Sequence, residues 1–192
     1  MKPYLLFKPA KRALGLYVVI PLLLMVIAPV WAFGGPVEDY EKGVKLYNDG
    51  DLNAGMAVLK KSAEAGYAPA QAYLGYLLDY AEFDDEAVLM YEAAAEQENP
   101  AGECGLGEMY TKGEGVEKDG DMAIYWFTKA AEQGYVQAIQ SLLGIYRKGA
   151  FGFDPDPNLV TYWTEKLEAI KKTEALQKEK KKAADSKDKK KK

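Results

Sequence analysis

The side chains able to do chemistry are few, and they lack their usual helper. The 192-residue sequence contains no histidine, so the commonest general base and the commonest metal ligand are both missing. Its single cysteine, Cys104, excludes an intrachain disulfide. No imidazole is available to draw off its thiol proton, so it reads as a small residue on a helix rather than as a nucleophile or a cross-link. Glu114, Glu117, Asp119 and Asp121 crowd one short segment. A calcium loop needs several oxygens at set spacing with a bidentate glutamate, and that spacing is absent. These acids read as a solvated loop in which Asp119 caps the next helix; no metal and no cofactor is expected. Trp126, Phe127, Tyr162 and Trp163 could form a stacking box for a ligand, but they fall on apolar positions of a repeat and read as core. The chemistry therefore points away from an enzyme and towards binding.

Charge narrows the partner. The formal net charge is −4, but it is unevenly spread. Residues 33–170 hold 10 basic and 25 acidic side chains, and residues 171–192 hold 11 lysines against Glu174, Glu179, Asp185 and Asp188. An acidic body cannot neutralise phosphates, so a nucleic-acid reader is excluded and a basic protein partner is favoured. Residues 178–192 carry almost no apolar side chains and read as a disordered lysine-rich tail. Such a tail offers contact with an anionic membrane or lipopolysaccharide, or merely solubility.

The elements that must position these residues come from an internal repeat. Leu106-Gly107-Glu108-Met109-Tyr110-Thr111-Lys112-Gly113 returns 36 residues later as Leu142-Leu143-Gly144-Ile145-Tyr146-Arg147-Lys148-Gly149, and Leu74-Gly75-Tyr76-Leu77-Leu78 precedes it by 32. Ala123-Ile124-Tyr125-Trp126-Phe127-Thr128-Lys129-Ala130-Ala131-Glu132-Gln133-Gly134 matches Ala87 through Glu98, and Lys61 to Gly66 and Tyr162-Trp163 match it more weakly. Apolar residues recur three and four apart, as at Leu106, Met109 and Tyr110 and at Ala123, Trp126, Phe127 and Ala130, which is the period of a helix. Ala72, Gly75, Ala94, Gly107 and Ala131 let helices approach closely. Gly66 and Gly134 fall where helices end. Asp119 and Asp156 stand at N-cap positions, with Pro157 next to Asp156 as the first helical residue. No strand pattern of any length occurs. Four helix pairs follow, over roughly 38–66, 68–98, 100–134 and 136–180. One pair cannot bury its apolar face alone, so the pairs stack. The expected fold is an all-α, right-handed α/α superhelix (a solenoid) of about four helix-turn-helix repeats over residues 33–177.

These residues resemble the Sel-1-like repeat family, relatives of the tetratricopeptide repeats. The family pattern is approximately Ala-x-x-x-Leu-Gly-x-x-Tyr-x-x-Gly-x-Gly-Val, then Asp, then Ala-x-x-Trp-Tyr/Phe-x-Lys-Ala-Ala-Glu-x-Gly. Residues 102–134 match it closely, and residues 70–98 match in both helices but not in the turn. Residues 138–167 match with Leu143 at the small position and Gly144 beside it, and residues 39–66 match loosely. The chain departs from the cysteine-rich bacterial branch, having only Cys104. The resemblance implies a superhelix that acts as an adaptor in protein complexes, with no catalytic residues to carry over. It also implies that the first helix of each pair lines the concave face. The candidate partner-binding residues on that face are Gln71, Tyr76, Asp79, Tyr80, Glu103, Glu108 and Thr111, of which Tyr76 and Tyr80 are large aromatics without an evident core duty.

The first segment reads as an address. Residues 1–12 carry Lys2, Lys8, Lys11 and Arg12 and no acid, residues 13–28 are apolar throughout, and Val30 and Ala32 suit a signal-peptidase site after Ala32. An uncleaved anchor is the other reading, although Pro21 interrupts the run and its length falls short of the roughly 20 residues a span requires. Residues 1–32 are thus expected to be a signal peptide. The lack of Asn-x-Ser/Thr sequons and of a retention signal favours a bacterial periplasm; secretion is the alternative. Three functions compete: an adaptor in a cell-envelope or secretion-linked assembly, a periplasmic inhibitor or immunity protein against a secreted toxin enzyme, and, weakest, an envelope-polymer hydrolase.

Overall fold

The computed structural model describes residues 34–189, with side chains to residue 184. The signal-peptide reading of residues 1–32 lies outside the described residues. Eight helices follow in order and no strand occurs among the described residues: α1 (Pro36–Asn48), α2 (Leu52–Glu64), α3 (Ala68–Tyr80), α4 (Asp84–Ala95), α5 (Pro100–Lys112), α6 (Gly120–Glu132), α7 (Val136–Lys148) and α8 (Pro157–Lys189). They pair as α1–α2, α3–α4, α5–α6 and α7–α8. Each second helix packs on the next first helix, and α3 also packs directly on α5. The result is an all-α solenoid of four units.

Local chemistry sets the helix ends. The Asp119 carboxylate accepts from the backbone N–H groups of Asp121 and Met122 at 2.9 and 3.0 Å. Asp156 does the same for Asn158 and Leu159 at 2.9 and 3.1 Å, and Asn99 for Ala101 and Gly102. Each satisfies donors that a helix cannot pair internally. The second helices of the first and third units end in left-handed glycines, Gly66 (φ 84°) and Gly134 (φ 87°). In the second unit the same corner is taken by Glu98 at φ 57°, where a side chain is less comfortable than hydrogen.

The core lies in three layers between successive units. Ala63, Ala70 and Leu74 join the first two; Ala87, Val88, Tyr91, Ala95, Leu106 and Met109 join the second and third. The largest layer, built around Phe127, Leu142, Trp163 and Leu167, holds the third and fourth together. Each unit buries its apolar face only against its neighbours, as solenoids do. Close approach is concentrated at the small positions. A Cβ added at Gly75 would lie 2.8 Å from the Tyr91 ring, and one at Gly107 would lie 2.7 Å from the Phe127 ring.

Three sequence expectations are corrected here. Where the composition reads as a disordered tail, α8 continues through residues 178–189 to Lys189. Lysine, glutamate, glutamine and alanine are good helix formers whether or not they pack, so the composition that excludes a core contact does not exclude a helix. Every residue from 171 to 184 is exposed, Leu176 included. The aromatic set also divides. Phe127 and Trp163 are core and Trp126 is half-buried, but Tyr162 is exposed, its ring edge-on to Trp163 at 4.9 Å between centroids. Successive helical residues point about 100° apart, so both members of a Tyr-Trp pair cannot face inward. Third, Gln71 and Glu103 lie within the fold and not on its surface, for reasons that belong to the site.

Candidate partner-binding groove

Glu103 is fully buried on α5. Its Oε1 faces the Lys129 ammonium of α6 at 3.0 Å, and its Oε2 accepts from the Gln133 side-chain amide at 2.7 Å. Lys129 also lies 5.0 Å from the centre of the Trp126 ring. Thirty-two residues earlier, Gln71 takes the equivalent place on α3. It accepts from the Gln97 amide at 2.7 Å and donates to the Ala63 carbonyl at 3.2 Å. Where the second unit has Ala93 opposite, the glutamine is neutral; where the third has Lys129, the residue is a carboxylate. The two side chains form a polar ladder inside the solenoid that ties each first helix to the C-terminal end of the second helix of its own pair, and Gln71 also to the corner before it. They are unavailable to a partner, because a buried polar group is more costly unpaired than exposed.

The surface of the first helices carries a groove instead. Its N-terminal part, about 300 Å³, is lined by Tyr40 of α1, Tyr73 and Tyr76 of α3, Glu108 of α5 and Gln137 of α7, with Tyr91 of α4 among its walls. Its C-terminal part, about 410 Å³, runs between α5 and α7 past Thr111, Gly144, Ile145 and Phe151. Glu108 lines both parts. The tyrosines form a connected wall: Tyr73 lies edge-on to Tyr40 at 6.2 Å and to Tyr47 at 6.4 Å, and is tilted against Tyr76 at 6.2 Å, while Tyr40 meets Tyr67 at 5.5 Å. Burial, reinforced by the neighbouring phenols, pushes the Tyr40 and Tyr73 hydroxyls above their ordinary range, so they remain neutral. Such a wall presents apolar area and hydroxyls on stiff side chains, which lose little entropy on binding.

The Tyr76, Glu108 and Gly144 positions are equivalent in successive units, 32 and 36 residues apart. Tyr76 is 54% exposed. Glu108 is half-buried and accepts from the Gln137 amide at 2.7 Å, with the Cys104 thiol at 4.0 Å. Burial pushes the Glu108 carboxyl above the usual carboxylate range and Asp79 adds to that, against the Gln137 hydrogen bond and Lys112. Cys104 is buried, and burial, then Glu108, pushes its thiol up, away from the reactive thiolate. Gly144 is exposed in mid-helix, and a Cβ there would meet nothing within 4 Å. Replacing it with alanine is expected to stabilise the fold by about 0.5–1 kcal/mol, from backbone entropy alone; urea unfolding checks this, and a loss of stability would contradict the open geometry.

The remaining candidates divide. Thr111 lines the C-terminal part and donates its hydroxyl to the Gly107 carbonyl at 2.7 Å. Asp79 is mostly covered and pairs with Lys112 at 2.9 Å. Tyr80 is 79% exposed at the end of α3 and lines neither part. The acidic loop comes apart: Asp119 caps α6, while Glu114 joins Asp79 and Asp84 with carboxylate atoms within 4.8 Å of one another. Lys112 bridges that trio, 2.9 Å from both Asp79 and Glu114. Burial pulls the Lys112 ammonium down, but these two carboxylates outweigh it and hold it up at about 12. Lys112 thus ties α3 to the α5–α6 turn through Asp79 and Glu114, with Asp84 of α4 beside them. Sequence reasoning missed Tyr40, Tyr73, Gln137 and the opening at Gly144. The available signal was the repeat register, since Tyr73 immediately precedes Leu74 of the motif and faces the same way as Tyr76.

Comparisons with known proteins agree with this architecture. The Sel1 repeat family matches residues 100–135, the third helix pair with its flanks. A Sel1 repeat protein from Oxalobacter formigenes superimposes with a TM-score of 0.61 at 29% identity, over 70% of this chain and 41% of its own. The protein c5321, a protective antigen present in uropathogenic Escherichia coli strains and displaying an SLR fold, gives 0.61 at 29% identity over 70% of this chain and 30% of its own. Chitin synthase regulatory factor 3 of Schizosaccharomyces pombe is 35% identical over 111 residues, 54% of this chain and 12% of that protein. The chain thus spans well under two thirds of the length of each of these relatives. Sel1 repeat proteins mediate protein–protein interactions and are generally non-catalytic. The chain thus carries a Sel1 repeat in its third helix pair and is similar in fold to solved Sel1 repeat proteins over 70% of its length.

Proposed function

We propose that this protein is an exported, non-enzymatic adaptor of a cell-envelope or secretion-linked assembly, which holds an extended, basic segment of a protein partner in the first-helix groove. The observation that carries this reading is the groove itself, a tyrosine wall ending on the half-buried carboxylate of Glu108. Aromatic side chains supply much of the energy of interfaces, and the acidic body steers a basic segment towards them. Export rests on the layout of residues 1–32. The lysine-rich end of α8 extends beyond the packed units and supplies a second, salt-sensitive attraction to anionic lipid or lipopolysaccharide.

The test is affinity capture with the full chain from an envelope fraction, run in parallel with Tyr76→Ala, Glu108→Gln and a chain lacking residues 178–192. The adaptor reading expects several components of one assembly, lost from the two groove variants. The shortened chain should lose only membrane material that high salt also releases. A single stoichiometric enzyme, inhibited on binding, would replace the adaptor with an inhibitor using the same groove. Proteins retained equally by both groove variants would overturn the site.

A further inference from the structure

We propose that the groove reads a two-part motif: Glu108 pairs with a lysine or arginine of the partner segment, and the cavity over Gly144 receives a bulky apolar side chain next to it. This rests on the groove reading above and specifies what that groove selects.

Three observations lead there. First, Glu108 has no cationic partner within ion-pair distance among the described residues. Its short hydrogen bond is to the neutral amide of Gln137, and the nearby Lys112 is committed to Asp79 and Glu114. A half-buried carboxylate with only an amide partner gains most from a cation that replaces its remaining water, and the adjoining tyrosine rings favour that same cation on their faces. Second, Gly144 leaves empty the position that Tyr76 and Glu108 fill in the two preceding units, and the 410 Å³ space over it is walled by Ile145, Phe127 and Phe151. That volume falls within the range of sites that take a ligand group. Third, the charges fix which part takes which group. Lys112 and Lys148 line the Gly144 cavity and Glu108 is its single acid, so a second cation is repelled there, whereas the tyrosine side carries no lysine.

The probe is a panel of fluorescein-labelled hexapeptides, each with one arginine and one leucine or phenylalanine at varied spacing, beside controls in which citrulline replaces arginine or serine replaces the apolar residue. Binding to the full chain is read by anisotropy. Peptides with both groups should bind best. Citrulline should weaken them about tenfold, as expected for a hydrogen bond to a charged group. Glu108→Gln should bring the same loss and make the citrulline exchange neutral. Gly144→Trp should abolish the preference for the apolar residue, while Gly144→Ala keeps it; the open space at Gly144 leaves both variants folded, which thermal unfolding verifies. Unchanged preferences in Glu108→Gln and Gly144→Trp, with binding still lost in Tyr76→Ala, would overturn the motif and leave the groove standing. Failure of every peptide class to bind would overturn both.

Discussion

Replacing Lys129 with alanine is expected to destabilise the protein by about 3–5 kcal/mol, because it strands the buried Glu103 carboxylate without its cation. Glu103 is 0% exposed, and its Oε1 sits 3.0 Å from the Lys129 ammonium. The Gln133 amide would still serve the other oxygen, but a single neutral donor does not offset the desolvation of a carboxylate. Lys129 is itself about one-third exposed, so water enters readily after truncation and the lower end of the range applies. The second unit supplies the rescue. There the same position is Gln71, hydrogen-bonded to Gln97 and Ala63 with no charge at all. Adding Glu103→Gln to Lys129→Ala should therefore restore most of the loss, a non-additivity that a double-mutant cycle in urea measures directly. A single Lys129→Ala within 0.5 kcal/mol of the parent, on the order of an ordinary surface substitution, would show that the pair does not hold the third unit together.

The second large effect concerns Tyr91. Its ring, 3% exposed, is wedged between Gly75 of α3 and Gly105 of α5, both of which lack the Cβ that would collide with it. Tyr91→Ala should cost about 3–5 kcal/mol, towards the top of the range for a large-to-small core change. The glycines on either side have no side chains to close the space, and the cavity therefore persists. Because Tyr91 also lines the N-terminal part of the groove, the variant should lose peptide binding even at temperatures where it remains folded. Tyr91→Phe keeps the ring and should keep both properties. Thermal unfolding followed by circular dichroism separates the two outcomes.

The fold was legible because its signals are local and repeated. Asp119, Asp156 with Pro157, Gly66 and Gly134 each mark a helix end by side-chain or backbone chemistry that depends on little else. Four copies of one apolar pattern then leave few ways to pack. The groove was legible only in part. Tyr76, Glu108 and Thr111 were readable as first-helix residues off the apolar stripe, and they line it. Gln71 and Glu103 belong to the same helices and are polar, yet they point into the ladder: the repeat pairs their helices with the segments that carry Gln97, Lys129 and Gln133, but does not show which polar positions of a pair meet inside it. Gly144 looked like a slipped copy of the motif glycine. Only the packing shows that Leu143 occupies the buried place, leaving the glycine to open the surface. The helical end of α8 was missed for the opposite reason: helix propensity acts without tertiary contacts, whereas the reading of that segment relied on the contacts it lacks.

The most direct test of the binding face is site-specific photocrosslinking in the cell of origin, with the photoreactive residue placed in turn at Tyr76 on the first-helix groove and at Leu89 on α4. Leu89 is 59% exposed but belongs to a second helix and lines neither part of the groove. The groove account predicts a discrete adduct from position 76, abolished by Gly144→Trp in the same chain, and none from position 89. An adduct from position 89 that survives Gly144→Trp, with none from position 76, would contradict it and move the partner to the second helices.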